Sequence, residues 1–233
     1  PLPKIVAPTY ELELPSTGQE IKYRPFLVKE EKVLVIALES EDTKQITNAI
    51  RAVLKSCIET RGVKVESLPT FDIEYLFLKA RAKSVGETVD LTFTDPNDPS
   101  YTVDHSINID TIKVEKNEDH KLLIDISDDI KIKMQYPGLE FFNEGLKIDT
   151  ISDSTETVAR CINQIVVGDE VYNRADMSTE EISEWLDALT TEQFTRILDF
   201  FKTMPKLRHV VKLKNKNTGE PFEVVLQGLA DFF

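Results

Sequence analysis

Leu68–Glu87, LPTFDIEYLFLKARAKSVGE, decides how the chain folds. At 100° per residue, Ile73, Leu76, Phe77 and Ala80 fall on one side of a helix, and Phe71, Tyr75, Leu78, Ala82 and Val85 fall on the opposite side. Two charged stripes separate these faces: Asp72, Lys79 and Lys83 on one seam, Glu74 and Arg81 on the other. A surface helix needs one apolar stripe, so a helix with two is expected between two layers of protein, either within its own fold or against a partner.

The flanking sequence alternates between strand and helix signals. Tyr10, Leu12 and Leu14 alternate with glutamates, Ser16-Thr17-Gly18 supplies a turn, and Ile21 and Tyr23 alternate with Lys22 and Arg24 before Pro25, which predicts a β-hairpin. Val33–Leu38, VLVIAL, suits a buried strand or a short helix, and periodicity does not choose between them. Beyond Ser40 and Asp42, both able to cap, Ile46, Ala49, Ile50, Val53, Cys57 and Ile58 trace an amphipathic helix ending before Gly62. From Val89 to Tyr136 the period becomes two in VDLTF, SINID, IKVEK, KLLIDI and IKIKMQY, which predicts an antiparallel meander with one wet face.

Past Asp149 the spacing reads as helical. Asp153 with Glu156, Ser178 with Glu181 and Thr190 with Gln193 match capping boxes or close variants. Three apolar sets follow them: Val158, Cys161, Ile162 and Ile165; Ile182, Trp185, Leu186 and Leu189; Phe194, Ile197, Leu198 and Phe201. Val210–Lys214 and Phe222–Leu226, joined through Asn217-Thr218-Gly219, predict a terminal hairpin. The expected class is therefore α+β, with an antiparallel β-sheet and helices in the N-terminal two thirds and a helical C-terminal region ending in a β-hairpin. The expected division is an α+β domain over 1–150 and a mostly helical region over 151–233, with one shared core or two left open.

Composition narrows the function. No apolar run approaches the ~18 residues of a membrane span, and the first residues lack the apolar core of a signal peptide. An initial Pro suggests a removed initiator Met, and two cysteines, Cys57 and Cys161, each on a predicted apolar stripe, suit buried thiols in a reducing cytoplasm. The formal charge of −13 repels nucleic acid and anionic lipid as a whole. Phe200–Gly219 is the local exception, with Lys202, Lys206, Arg208, Lys212, Lys214 and Lys216 and no acid. These cations suit either an acidic partner or a hairpin edge guarded against aggregation, and no aromatic residues interleave to stack bases.

No catalytic constellation is legible. His105, His120 and His209 are scattered, and no metalloprotease, nucleophile-elbow or phosphate-loop spacing occurs. Asp95, Asn97 and Asp98 in DPNDPS could ligate calcium, but the loop lacks the Gly and distal Glu of an EF-hand and reads as a turn. No catalytic residue, cofactor site or metal site is assigned. The candidate partner contacts are Asp72, Lys79 and Lys83 on the long helix and the terminal Phe232 and Phe233, whose rings are expected to dock.

Ile21–Lys32 (IKYRPFLVKEEK), the Leu68–Glu87 segment with its Phe-Leu and Lys-Ser-Val-Gly-Glu, and the closing Gly-Leu-Ala-Asp-Phe-Phe resemble the baseplate hub assembly subunit of T-even-like, contractile-tailed bacteriophages. The resemblance implies a non-enzymatic structural or assembly subunit, made in the host cytoplasm, that binds other baseplate hub or assembly proteins. It implies no small-molecule substrate, cofactor or membrane, and brings no catalytic residues. Some relatives carry a Cys-x-x-Cys-type knuckle in the C-terminal hairpin, whereas Lys214–Gly219 here has no thiols, so no zinc site is carried over. A nucleic-acid-binding module using the basic 202–216 stretch and a hydrolase with an unrecognised site are the competing readings.

Overall fold

The structure, a computed structural model, describes residues 2–144, 148 and 151–232. Its contacts divide the chain into two compact units, Pro1–Glu115 with Pro205–Phe233, and Lys116–Met204.

In the first unit, β1 (Tyr10–Glu13) and β2 (Glu20–Tyr23) form the expected hairpin, with Leu12 opposite Ile21 and Gly18 at φ 72° in the turn. Two helices follow, α1 (Val28–Glu39) and α2 (Thr43–Cys57), the second capped by the Asp42 carboxylate through the Lys44 and Gln45 amides. VLVIAL is thus helical. Next comes α3 (Thr70–Val85), the two-faced helix, which ends at Gly86 with φ 118°. Both faces are buried through the body of the helix: Ile73, Leu76, Leu78 and Ala80 have no exposed surface, and Phe71, Phe77 and Ala82 nearly none, while Tyr75 is half-buried and Val85, in the last turn, is exposed. The layers around it come from the same unit, namely α2, the 3-10 turn Ile109–Thr111 and, across the C-terminal hairpin, β10 (Lys206–Lys214).

Strands β3 (Thr88–Asp95) and β4 (Asp98–Asn108) pair only with each other, while β5 (Val114–Glu115) pairs with β10, whose other neighbour is β11 (Pro221–Gln227). The terminal hairpin is as expected, with Val210 opposite Val225.

The second unit holds β6 (Leu123–Asp125), β7 (Ile130–Met134), the short α4 (Phe141–Glu144), α5 (Ile151–Arg160), β8 (Ile162–Val167), β9 (Glu170–Asn173), α6 (Thr179–Asp187) and α7 (Thr191–Thr203). Its strands form one antiparallel sheet in the order β6-β7-β8-β9. Capping boxes at Ser178–Glu181 and Thr190–Gln193 open α6 and α7 as expected. The side chain of Asp153 lies outside the described residues.

Two expectations are corrected. The α+β class stands, but the C-terminal region is not one helical block: Ile162–Val167 and Glu170–Asn173 are strands set between helices. Helix α5 stops at Arg160, and the register between β7 and β8 then shifts, so that Lys133 faces Gln164 and Met134 faces Ile162. The extra residue, Asn163, turns Ile162 and Ile165 to the same buried side although they are three apart. With Val158 and Cys161 they reproduce a helical spacing, while the β-branched run Ile165-Val166-Val167 favours the strand. The second correction concerns the meander. The strands between Val89 and Tyr136 belong to three separate sheets, because alternation sets which face of a strand is buried and not which strand it pairs with.

Candidate interaction surface

The exposed side of α1 carries several apolar side chains that no neighbour covers, and local chemistry sets its position. Pro25 ends β2, and the Arg24 guanidinium then reaches Glu30 in the first turn of α1 through two nitrogens, 2.9 and 3.3 Å from the carboxylate oxygens. The same carboxylate accepts the Leu27 amide at 2.8 Å and the Ser56 hydroxyl, from the end of α2, at 2.8 Å. Burial raises the affinity of Glu30 for a proton, but Arg24, Leu27 and Ser56 outweigh it and hold the group at about 2. This buried network locks the N-terminus of α1 onto β2 and α2.

Below the network, Leu34 and Ala37 pack toward α2. The rest of the helix is apolar as well. Val28 is 72% exposed, Ile36 66%, Leu38 55% and Val35 48%. A helix can bury about one stripe against a single neighbour, so four consecutive apolar residues, Val33 to Ile36, must leave some facing out. That run was the available sequence signal, and its ambiguity between strand and helix concealed it. Among the outward residues sit Lys29, Lys32 and Glu39, all exposed. Leu2, Ile5 and Val6, in the residues before β1, add further exposed apolar surface.

The residues named as candidate partner contacts have neighbours within the chain. Asp72 is fully buried and accepts the Ser16 amide at 3.0 Å and the Ser16 hydroxyl. Lys79 is 7% exposed and donates to the Asp110 carbonyl, and Lys83 bridges Glu87 at 2.7 Å and Asp110 at 3.0 Å. The structure therefore brings Lys79 and Lys83 together around Asp110, with Asp72 at the hairpin turn, and all three are engaged inside the chain. Phe232 is fully buried in a 3-10 turn, Leu229–Phe232, that follows β11. Phe233 lies outside the described residues.

Glu74 joins that terminal turn to α3 by accepting the Leu229 amide at 3.3 Å. Burial pushes its carboxyl up to about 7, and the Leu229 amide, which favours the carboxylate, only partly opposes this. The folded value lies above the ordinary carboxyl range, so the folded protein binds this proton more tightly than the unfolded chain. The stabilisation is complete below that range and is lost as pH rises through about 7. Glu74→Gln keeps an acceptor without the charge. It is expected to melt above wild type at pH 8, by about 2 kcal/mol, with the difference closing toward pH 5. An equal difference at both pH values would contradict the assignment.

The remaining motifs resolve into structure. The DPNDPS turn is tied to the terminal hairpin by the buried Asn215, whose side-chain amide donates to Asp95 at 2.9 Å and Asp98 at 3.2 Å. The Asn215 oxygen accepts the Asn217 and Thr218 amides, so an asparagine organises the hairpin tip. In the basic stretch, Arg208 pairs with Glu115, Lys212 with Glu223 and Lys202 with Asp199. The two cysteines are free and buried, and burial pushes their thiols up to about 11 and about 12. Among the described residues no three His, Cys, Asp or Glu side chains cluster to hold a metal ion, and no helix is long and apolar enough to cross a membrane.

Compared with known families, residues 7–233 match the model of the family described as T4 bacteriophage base plate protein. No curated protein and no solved structure shows a significant match.

Proposed function

The chain belongs to the T4 bacteriophage base plate protein family, and from that premise we propose that it is a non-enzymatic subunit of the central hub of the tail baseplate, entering the assembly through the outer face of α1. The family supports a structural role in the baseplate and contacts with other baseplate proteins. The hub assignment rests on the resemblance of Ile21–Lys32, Leu68–Glu87 and Gly228–Phe233 to hub assembly subunits. These segments meet in space: the Phe26 and Phe77 rings are 5.1 Å apart, the Phe26 amide donates to Ser84 at 2.6 Å, and Glu74 holds Leu229. They are the joints that fix α3 and position α1, so their shared sequence supports a shared scaffold. The observation that carries the mode of action is the row of exposed Val28, Val35, Ile36 and Leu38 on a helix that is otherwise firmly anchored. Assembly would take place in the host cytoplasm, before the tail is complete.

Val35→Glu combined with Ile36→Glu tests this reading. Both positions are exposed, so the variant is expected to melt like wild type. When it replaces the wild-type chain in infected cells, it is expected to co-fractionate with baseplate intermediates at least about tenfold less, since desolvating a carboxylate in an apolar contact costs several kcal/mol. Wild-type incorporation of a folded variant would overturn the use of α1. The nucleic-acid reading gains no support from a basic stretch whose Arg208, Lys212 and Lys202 are already paired with acids.

A further inference from the structure

We infer that the outer face of α1 binds the same face of a second copy of this chain, with the two helices antiparallel about a two-fold axis between Val35 and Ile36. This inference rests on the reading of α1 as an interaction surface and commits it to one occupant.

The charge pattern of the face selects the occupant. Lys32 and Glu39 lie seven residues apart, so at 100° per residue they are about 20° apart around the axis and sit in one line along the exposed side. The midpoint between them falls between Val35 and Ile36. An antiparallel two-fold through that midpoint reverses position along the helix and preserves which flank of the contact a residue occupies. Lys32 of each copy therefore meets Glu39 of the other, and opposite charges pair twice. At the centre, each Val35 meets its counterpart on one flank and each Ile36 on the other, giving an apolar middle from residues that are 48% and 66% exposed in the single chain. The interface is isologous, the same patch on both copies, as closed two-fold association requires. A parallel arrangement would set Lys32 against Lys32 and Glu39 against Glu39.

Both charged groups are available. Lys32 and Glu39 are exposed, and among the described residues neither enters an ion pair. Their neighbours on the buried side of the helix differ, since Glu30 is committed to Arg24 and Ser56. The anchoring of the α1 N-terminus through that network presents the face in a fixed orientation, so little ordering opposes the pairing. One helix face is small for an interface, which points to an association in the micromolar range.

Sedimentation equilibrium of the purified full chain tests the pairing. Between about 5 and 200 µM the wild type is expected to move from 26.5 kDa toward twice that mass. Lys32→Glu and Glu39→Lys each set like charges against each other twice in the pair, and each is expected to weaken association about tenfold. The double reversal, Lys32→Glu with Glu39→Lys, restores both opposite-charge pairs and is expected to return association to within about threefold of wild type. A wild type that stays monomeric throughout would overturn the inference, as would a double reversal no better than its single parents. The wider reading fails separately. A monomeric chain whose Val35→Glu, Ile36→Glu variant still drops out of baseplates keeps α1 as the baseplate contact with another occupant. A dimer whose variant assembles normally keeps the pairing and removes it from baseplate entry.

Discussion

Leu76→Asp and Leu78→Asp are each expected to unfold the unit that contains α3, although they stand on opposite faces of the helix. Neither leucine has exposed surface, and the layers on both sides belong to the same chain. An unpaired carboxylate forced into either layer costs several kcal/mol, comparable to the whole stability of a domain. Both variants should lose the cooperative thermal transition seen by circular dichroism, or show it far below the wild-type temperature. If one of them melts like wild type, that face of α3 is a surface and the two-layer packing is wrong. The contrast with α1 is direct: acidic substitutions at Val35 and Ile36 should leave melting unchanged, and those at Leu76 and Leu78 should not.

A chain ending at Gly228 is expected to melt about 10 °C below wild type. The truncation removes Leu229 and the fully buried Phe232, and deleting a buried phenylalanine side chain alone costs about 3–5 kcal/mol. It also leaves the half-buried Glu74 without the Leu229 amide and Gln227 without the Asp231 carboxylate that accepts its amide at 2.7 Å. Phe232→Ala in the full chain should reproduce most of the loss. If stability holds in both variants while recovery with baseplate proteins falls, the terminal ring contacts a partner and not its own fold.

Much of this was legible in the residues. The two apolar faces of Leu68–Glu87, both hairpins, the caps at Asp42, Ser178 and Thr190, and the buried cysteines follow from local spacing, and local spacing is what forms them. Other features depend on residues distant in sequence. The seam of Asp72 and Lys79 reads as a candidate partner contact, yet it is buried with Ser16 and the Asp110 carbonyl satisfying it from 56 and 31 residues away. The strands from Val89 to Tyr136 alternate as expected, but only tertiary pairing sends β5 to β10 and leaves β3 and β4 with each other. A single bulged residue, Asn163, makes a strand mimic a helix. The outer face of α1 was hidden for the opposite reason. A run of consecutive apolar residues has no period, so it reveals neither the element nor the side left without a neighbour.

The most direct test of the α1 surface is photo-crosslinking within the assembled particle. A photoreactive residue would replace Ile36, with a second chain carrying it at the exposed Lys44 of α2 as control, and purified baseplates would be irradiated and analysed by mass spectrometry. The expected result is that the chain is present in baseplates, that position 36 forms adducts to baseplate protein, and that the principal adduct joins two copies of this chain. Baseplates lacking the chain, or baseplates in which position 36 forms no adduct while position 44 does, would contradict the claim that this face carries the protein into the baseplate.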